Sequence, residues 1–211
     1  MPIAQNHSST GYRQHVDMPT LRERKKDATR QALHEAVLRL AVDRGWDAVT
    51  VEAVADQANV SRRTFSNYFA NKEEALFHAD LQRIERLLSQ FRARPRSEPA
   101  WRALTATAAS QYADLDEIDP KWMAQMRLVR MHPALLAQQA ATQLALEEEL
   151  ATEIAARSPA SDDAEMRARV MAATFLATIR TVVVLWTTQD RNERLSTAIN
   201  AGLKAAGERF R

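Results

Sequence analysis

The chain has 211 residues, 45% of them hydrophobic and 27% charged, the composition of one or two compact domains rather than a disordered chain. It contains no cysteine, which excludes disulfides, zinc-thiolate sites, iron–sulfur clusters and cysteine nucleophiles. Its four glycines, one of them at residue 11, argue against Gly-rich phosphate loops. The net charge of +2 is unevenly spread: residues 1–72 carry 11 basic and 8 acidic side chains, residues 73–211 carry 18 and 19. A basic amino-terminal third on a near-neutral remainder suggests a polyanion-binding head on a body with another task.

Residues 1–20 mix Pro, Gly, Ser and His without an apolar run and are expected to form a mobile tail, not a signal-peptide core. Beyond them Ala, Leu, Glu, Arg and Gln dominate, and no stretch alternates with period two, so the chain is expected to be all-α with about nine helices. The first helix is placed at 21–44, with Ala32, Ala36 and Leu40 facing a core, Leu33 and Val37 as further candidates, and Gly45 as its left-handed terminator. Thr50 caps a second helix, 51–57, and Ser61 a third, 61–68, across a tight turn at Asn59-Val60. Asn71 and Glu74 form a capping box for a long fourth helix, on which Phe77, Leu81, Ile84, Leu88 and Phe91 make a stripe. After the break at 94–97, helices are expected at 98–116, 120–131, 133–157, 161–188 and 191–210, with Ser161 capping the eighth. These elements divide the chain into a head at 21–70 and a body at 71–211, with residues 71–93 as the connecting rod.

Two short helices joined by a three- or four-residue turn, with a first helix across them, form a helix-turn-helix. Its second helix must enter a major groove about 12 Å wide with polar side chains outward. Phe65 and Phe69 share one face and can anchor the third helix, which leaves Arg62, Arg63, Thr64, Ser66, Asn67 and Tyr68 around the others. Such side chains suit base edges and phosphates, and no Asp or Glu occurs from 57 to 72. Free N–H groups after Thr50 and Ser61, and the amine of Lys72, suit phosphate oxygens. Trp46 reads as packing under the head.

The run from Arg44 to Leu76, with Gly45, Thr50, Ser61-Arg62-Arg63-Thr64-Phe65, Asn67-Tyr68-Phe69 and Lys72 in order, resembles the DNA-binding head of TetR-type transcriptional repressors. The likeness is close over 27–77. Ser66 departs from the usual aromatic residue and Ala70 from a common Pro. The resemblance implies that Thr50, Ser61, Arg62, Arg63, Thr64, Asn67, Tyr68 and Lys72 occupy DNA-contacting positions, with double-stranded DNA as partner. With the dimer argued from the body below, two-fold symmetry predicts a palindromic operator, and the chain reads as a ligand-responsive repressor released by a small, largely apolar effector.

The body is expected to hold an apolar effector pocket, lined by Trp101, Tyr112, Trp122, Met123, Met126, Met171 and Phe175, though the same residues also suit plain core. Arg180, amid Ile179, Val182 and Leu185, reads as a buried cation needing a partner, either within the bundle or on a ligand. Apolar stripes on two sides of the eighth helix, with Leu195, Ile199 and Leu203 on the ninth, point to homodimerisation through about 161–210. No His pair stands at metal-binding spacing and no nucleophile motif occurs, so no enzyme activity, metal or cofactor is expected. The most apolar stretch, 172–188, is interrupted by Arg180 and falls short of the roughly 20 residues of a span, so no membrane partner is expected and the cytoplasm is the default. The rival reading is a helical interaction or small-molecule-binding protein without sequence-specific DNA binding.

Overall fold

A computed structural model describes residues 20–113, 120–157, 161–189 and 193–209. Most of the expected tail, together with Asp119 and Phe210, lies outside the described residues. Among the described residues the fold is all-helical: α1 (Leu21–Arg44), α2 (Val51–Gln57), α3 (Arg62–Tyr68), α4 (Lys72–Ala93), α5 (Ala100–Tyr112), α6 (Pro120–Met131), α7 (Pro133–Ala155), α8 (Ala164–Thr188) and α9 (Leu195–Ala206). Short 3-10 turns follow α1 at Trp46–Ala48 and α9 at Gly207–Arg209.

Local chemistry sets the boundaries. Thr20, read above as tail, is the cap of α1. Its hydroxyl oxygen accepts from the Glu23 N–H at 3.2 Å, and the Glu23 carboxylate accepts from the Thr20 N–H at 2.7 Å. Gly45 does have positive φ, but at φ 81° and ψ 155° it is extended rather than left-handed helical. The left-handed residue is Asn59, φ 56°, which turns the chain between α2 and α3. Asn71 Oδ1 accepts from the Glu74 N–H at 2.7 Å, while the Glu74 carboxylate reaches back to the N–H of Ala70, one residue earlier than a standard box. Ser161 does not cap α8 with its side chain; its carbonyl accepts from Ala164 N–H, and the helix starts there.

Two apolar cores result. The head core gathers Leu33, Val37, Leu40, Trp46, Val54, Phe65, Phe69, Leu76 and Phe77, and it is completed by Val129 of α6 and Leu135 of α7. The body core gathers Leu88, Phe91, Trp101, Leu104, Leu150, Ile154, Phe175, Ile199 and Leu203. Helix α4 contributes its first turns to one core and its last turns to the other. Several expected placements shift by part of a turn. Of the α1 positions expected in the core, Leu33, Ala36, Val37 and Leu40 are buried, while Ala32 is exposed and Leu38 is buried in addition. Leu81 is 39% exposed because α4 turns Asp80 inward. Leu195, Ile199 and Leu203 are buried in the chain's own core and do not form an open dimer face. Gly202 allows this close packing, since a Cβ there would stand 2.7 Å from a methyl group of Val182.

His34 joins α1 to α4: its Nδ1–H donates to the Ala75 carbonyl at 2.9 Å. Burial lowers its pKa and outweighs that bond. His78, ring-to-ring with His34 and Phe69, is likewise lowered by burial and by His34. In the unfolded chain both titrate near about 6.5. Below that pH the unfolded state takes up protons first, so stability is lost as pH falls from about 6.5 through the lower folded values. The urea midpoint is therefore expected to be flat above pH ~7 and to drop as the pH falls below ~6.5. The double variant His34→Gln/His78→Asn should lose most of that slope. A midpoint that rises on acidification in this window would contradict it.

Candidate nucleic-acid interface

Helix α3 has seven residues, and one face of it is buried. Phe65 is 1% exposed and packs at 6.0 Å, centre to centre, on the ring of Phe69, the extended residue that closes the helix. With this face fixed, the 3.6-residue period turns Arg62, Arg63, Ser66 and Asn67 to solvent, and all four are exposed. Arg63 and Asn67 make no side-chain hydrogen bond among the described residues, so their donors are open. Arg62 is engaged: Nη1 meets Glu52 Oε1 of α2 at 2.8 Å. Glu52 lies before the acid-free run, and the α2–α3 turn brings it beside Arg62. Both side chains are more than half exposed, so this ion pair is worth little.

Thr50 and Ser61 cap α2 and α3. Their hydroxyl oxygens accept from Ala53 N–H at 3.1 Å and Thr64 N–H at 3.0 Å. The Thr64 hydroxyl also lies 2.8 Å from that of Ser61, so Thr64 helps hold the cap. Tyr68 is half-buried against the head core, with the Arg30 guanidinium 5.6 Å from its ring centre. Arg22, Arg24, Lys25 and Lys26 are exposed on the first turns of α1.

Lys72 has a different employment from the phosphate clamp read in the sequence. Its ammonium donates to the carbonyls of Trp46 and Val49, at 3.1 and 2.9 Å, and stands 4.4 Å from the Trp46 ring centre. It joins the start of α4 to the chain entering α2. Trp46 itself is 5% exposed and packs under the head, as expected.

In the body, Phe175 is fully buried and meets Trp101 edge to face at 6.3 Å. Tyr112, Trp122, Met126 and Met171 are half-buried against the body core, while Met123 is half-buried but not part of that packing. Sequence reasoning missed a polar cluster here. Asp80 pairs with Arg83 on α4 and accepts from the buried Gln125 amide of α6 at 2.5 Å. The Tyr112 hydroxyl is pushed up by burial nearby, and Gln111 Oε1 is buried without a hydrogen bond among the described residues. The signal available was the stripe itself: Asp80 lies three residues after Phe77 and four before Ile84. Arg180 is exposed, donating to Gln143 Oε1 at 3.2 Å, so it is not a buried cation.

The sequence pattern of the bacterial regulatory proteins of the tetR family matches residues 33–79, and that of the MftR C-terminal domain matches 98–211. Over 174 residues the chain is 33% identical to the HTH-type transcriptional regulator TcmR of Streptomyces glaucescens, covering 80% of this chain and 77% of that protein. Its fold resembles that of NalD, the secondary repressor of the MexAB-OprM multidrug efflux pump in Pseudomonas aeruginosa. The TM-score is 0.59 with 17% identity, over 87% of this chain and 95% of that one. The SmeT–triclosan complex has a similar fold, with TM-score 0.54 and 19% identity over 84% and 91% of the two chains.

The Lys72 contacts can be tested directly. Lys72→Met removes charge-assisted bonds to two carbonyls and is expected to cost about 1.5–3 kcal/mol in urea unfolding. Unchanged stability would show that the segment before α2 does not depend on the amine.

Proposed function

Because the chain belongs to the TetR family of bacterial transcriptional regulators, and so is a DNA-binding regulator and not an enzyme, we propose that it acts as a homodimeric repressor. Two α3 helices enter successive major grooves of a palindromic operator, in the cytoplasm, and a small, largely apolar effector entering the body releases them. One observation carries this reading: burial of Phe65 and Phe69 leaves Arg63, Ser66 and Asn67 outward, with the arginine and asparagine donors open.

In this reading Arg63 and Asn67 read base edges. Thr50, Ser61, Thr64 and Tyr68 position the head on phosphates, and Arg62 exchanges Glu52 for a phosphate. Lys72 acts as an internal strut and not as a clamp.

The dimer reading is supported by α8. The helix has 25 residues, a little shorter than the expected 161–188 but longer than the apolar stretch 172–188 within it, and by length and composition alone it passes for a membrane span. Only 22% of its most apolar 18-residue stretch is buried. One such helix is weak evidence for a span, and this one packs along α7 and α9. Met166, Val170, Ala173, Ala177, Thr181 and Val184 recur at steps of three and four on its outer side, with Met166 60% and Val170 50% exposed. A second copy laid on this stripe covers it by two-fold symmetry.

The effector reading is supported by adaptable Met126 and Met171 beside Trp122 and by the unpartnered Gln111 oxygen. The SmeT fold relative holds triclosan, a small aromatic ligand. Release is supported by α4, which belongs to both cores, and by the α6–α7 corner, whose Val129 and Leu135 sit in the head core.

Selection of bound duplex from genomic fragments should return inverted repeats, with affinity falling steeply as salt rises. On the selected site, Arg63→Ala and Asn67→Ala are each expected to cost about 1–3 kcal/mol and to relax preference at a symmetric pair of base positions. Arg62→Ala should cost less and act evenly across sequences. Absence of any sequence preference would favour the rival binding protein. Light scattering at micromolar concentration should give twice the 23.8 kDa chain mass, and Val170→Arg/Val184→Asp should halve it. A wild-type species at the single-chain mass would defeat the dimer.

A further inference from the structure

We propose that the cleft between α5 and α9 binds a small amphipathic organic anion, an aryl or acyl carboxylate, with its apolar part on Trp101 and Leu203 and its carboxylate between Arg102 and Lys204. The cleft has a volume of about 510 Å³, within the range that takes small ligands. It shares only Trp101 with the effector pocket read from the sequence, so it is a separate site.

The walls come from the two helices: Pro99, Trp101, Arg102 and Thr105 on the α5 side, Asn200, Leu203, Lys204 and Gly207 on the α9 side. Its floor is apolar and firmly set. Leu203 is 1% and Trp101 7% exposed, and the indole stands perpendicular to the Phe175 ring at 6.3 Å between centres. Gly207 lies close against the Nε1 end of the indole, where a Cβ would come within 1.8 Å of Nε1. The end of α9 can therefore close over Trp101 without a side chain between them.

The rim has one sign of charge. No lining residue is acidic, while Arg102, with its side chain 80% exposed, and the exposed Lys204 are cationic. Glu98 is 3.7 Å from Arg102 Nε, but its carboxylate is already gripped by both prongs of Arg94, at 2.5 and 2.8 Å. Arg94 also holds the Glu98 pKa below the usual carboxylate value. Arg102 is thus only loosely paired, and Lys204 has no ion pair among the described residues. The Thr105 hydroxyl donates to the Arg102 carbonyl at 3.0 Å, and Asn200 is exposed at the edge.

These features select the occupant's chemistry. A cation is repelled by the rim. A wholly apolar molecule leaves both charges without a partner at its edge. A bare phosphate or sulfate gains the charges but leaves the apolar part of the cleft unfilled. A planar carboxylate on an apolar body satisfies the guanidinium fork, the ammonium and the floor together.

The test uses the full chain and calorimetry with two probes of nearly equal size, naphthoate and naphthylmethanol. Naphthoate is expected to bind about 10-fold more tightly or better, through its charge-assisted bonds. Arg102→Gln/Lys204→Gln, both at exposed positions, should abolish that preference and leave the alcohol's affinity and the melting temperature unchanged. Equal affinities in the wild type would overturn the proposal, as would a preference that survives the double substitution or no binding of either probe at millimolar concentration. None of these outcomes depends on DNA binding, so the operator reading stands or falls separately.

Discussion

A helix of seven residues is too short to persist in water by its own hydrogen bonds, and α3 exists because the head core holds it. Phe65 and Phe69 supply the grip, each worth about 1.5–3 kcal/mol on burial. Rotating α3 by half a turn would expose Phe65 and draw Arg63 inward, at a desolvation cost of several kcal/mol. Both terms oppose the same rotation, so the outward direction of the arginine face is set by the interior. The caps at Thr50 and Ser61 then fix where the helices begin, and Lys72 ties the chain ahead of α2 to the start of α4. The surface offered to a duplex is in this sense a product of residues that never reach it.

The head does not close its core unaided. Val129 and Leu135, from the corner between α6 and α7, lie among the head's own Leu33, Phe65 and Phe77. Lys121 of α6 meets Glu35 of α1 at 3.0 Å, and Gln125 of α6 holds Asp80 of α4. A movement of α6 therefore has two ways to reach α1 and the helix-turn-helix, one through this corner and one along α4. Whatever occupies the body can shift the head only by as much as it prefers one arrangement of these contacts over the other. The packing makes that preference transmissible, because well-packed cores move between discrete arrangements and do not yield smoothly.

Local chemistry was legible in the sequence wherever a few adjacent residues decide it. Helices α1, α2 and α3 fall within a residue of their expected limits because Thr50, Ser61 and Gly45 act on their own neighbours. What escaped depends on partners far along the chain. Nothing near Lys72 shows that the Trp46 and Val49 carbonyls await it, and nothing near Arg62 shows Glu52 across the turn. Arg180 looked buried because its neighbours in sequence are apolar, yet it sits on the open side of α8 and reaches Gln143 of α7. On α4 one position of the stripe was misplaced for the same reason: Phe77, Leu88 and Phe91 are buried, but Leu81 is exposed while Asp80 beside it meets the Gln125 amide of α6.

Helix α8 shows how far such arguments extend. Its inner side carries Ala168, Ala172, Phe175, Ile179 and Val183 into the body core. Its outer side is also uncharged along Met166, Val170, Ala173, Ala177, Thr181 and Val184, and there the chain covers Ala173 and Ala177 only in part and leaves the other four exposed. Arg167, Arg169 and Arg180 stand beside this outer stripe, where they can reach water. Charges placed so suit a strip flanked by solvent, and would be costly in a hydrocarbon layer surrounding the helix. Small Ala173 and Ala177 at mid-helix leave room for a second backbone to cross closely. A two-fold axis through that crossing would fix how far apart the two α3 helices lie. The same uncovered stripe would then decide both whether the chain pairs and which half-site spacing the pair can read.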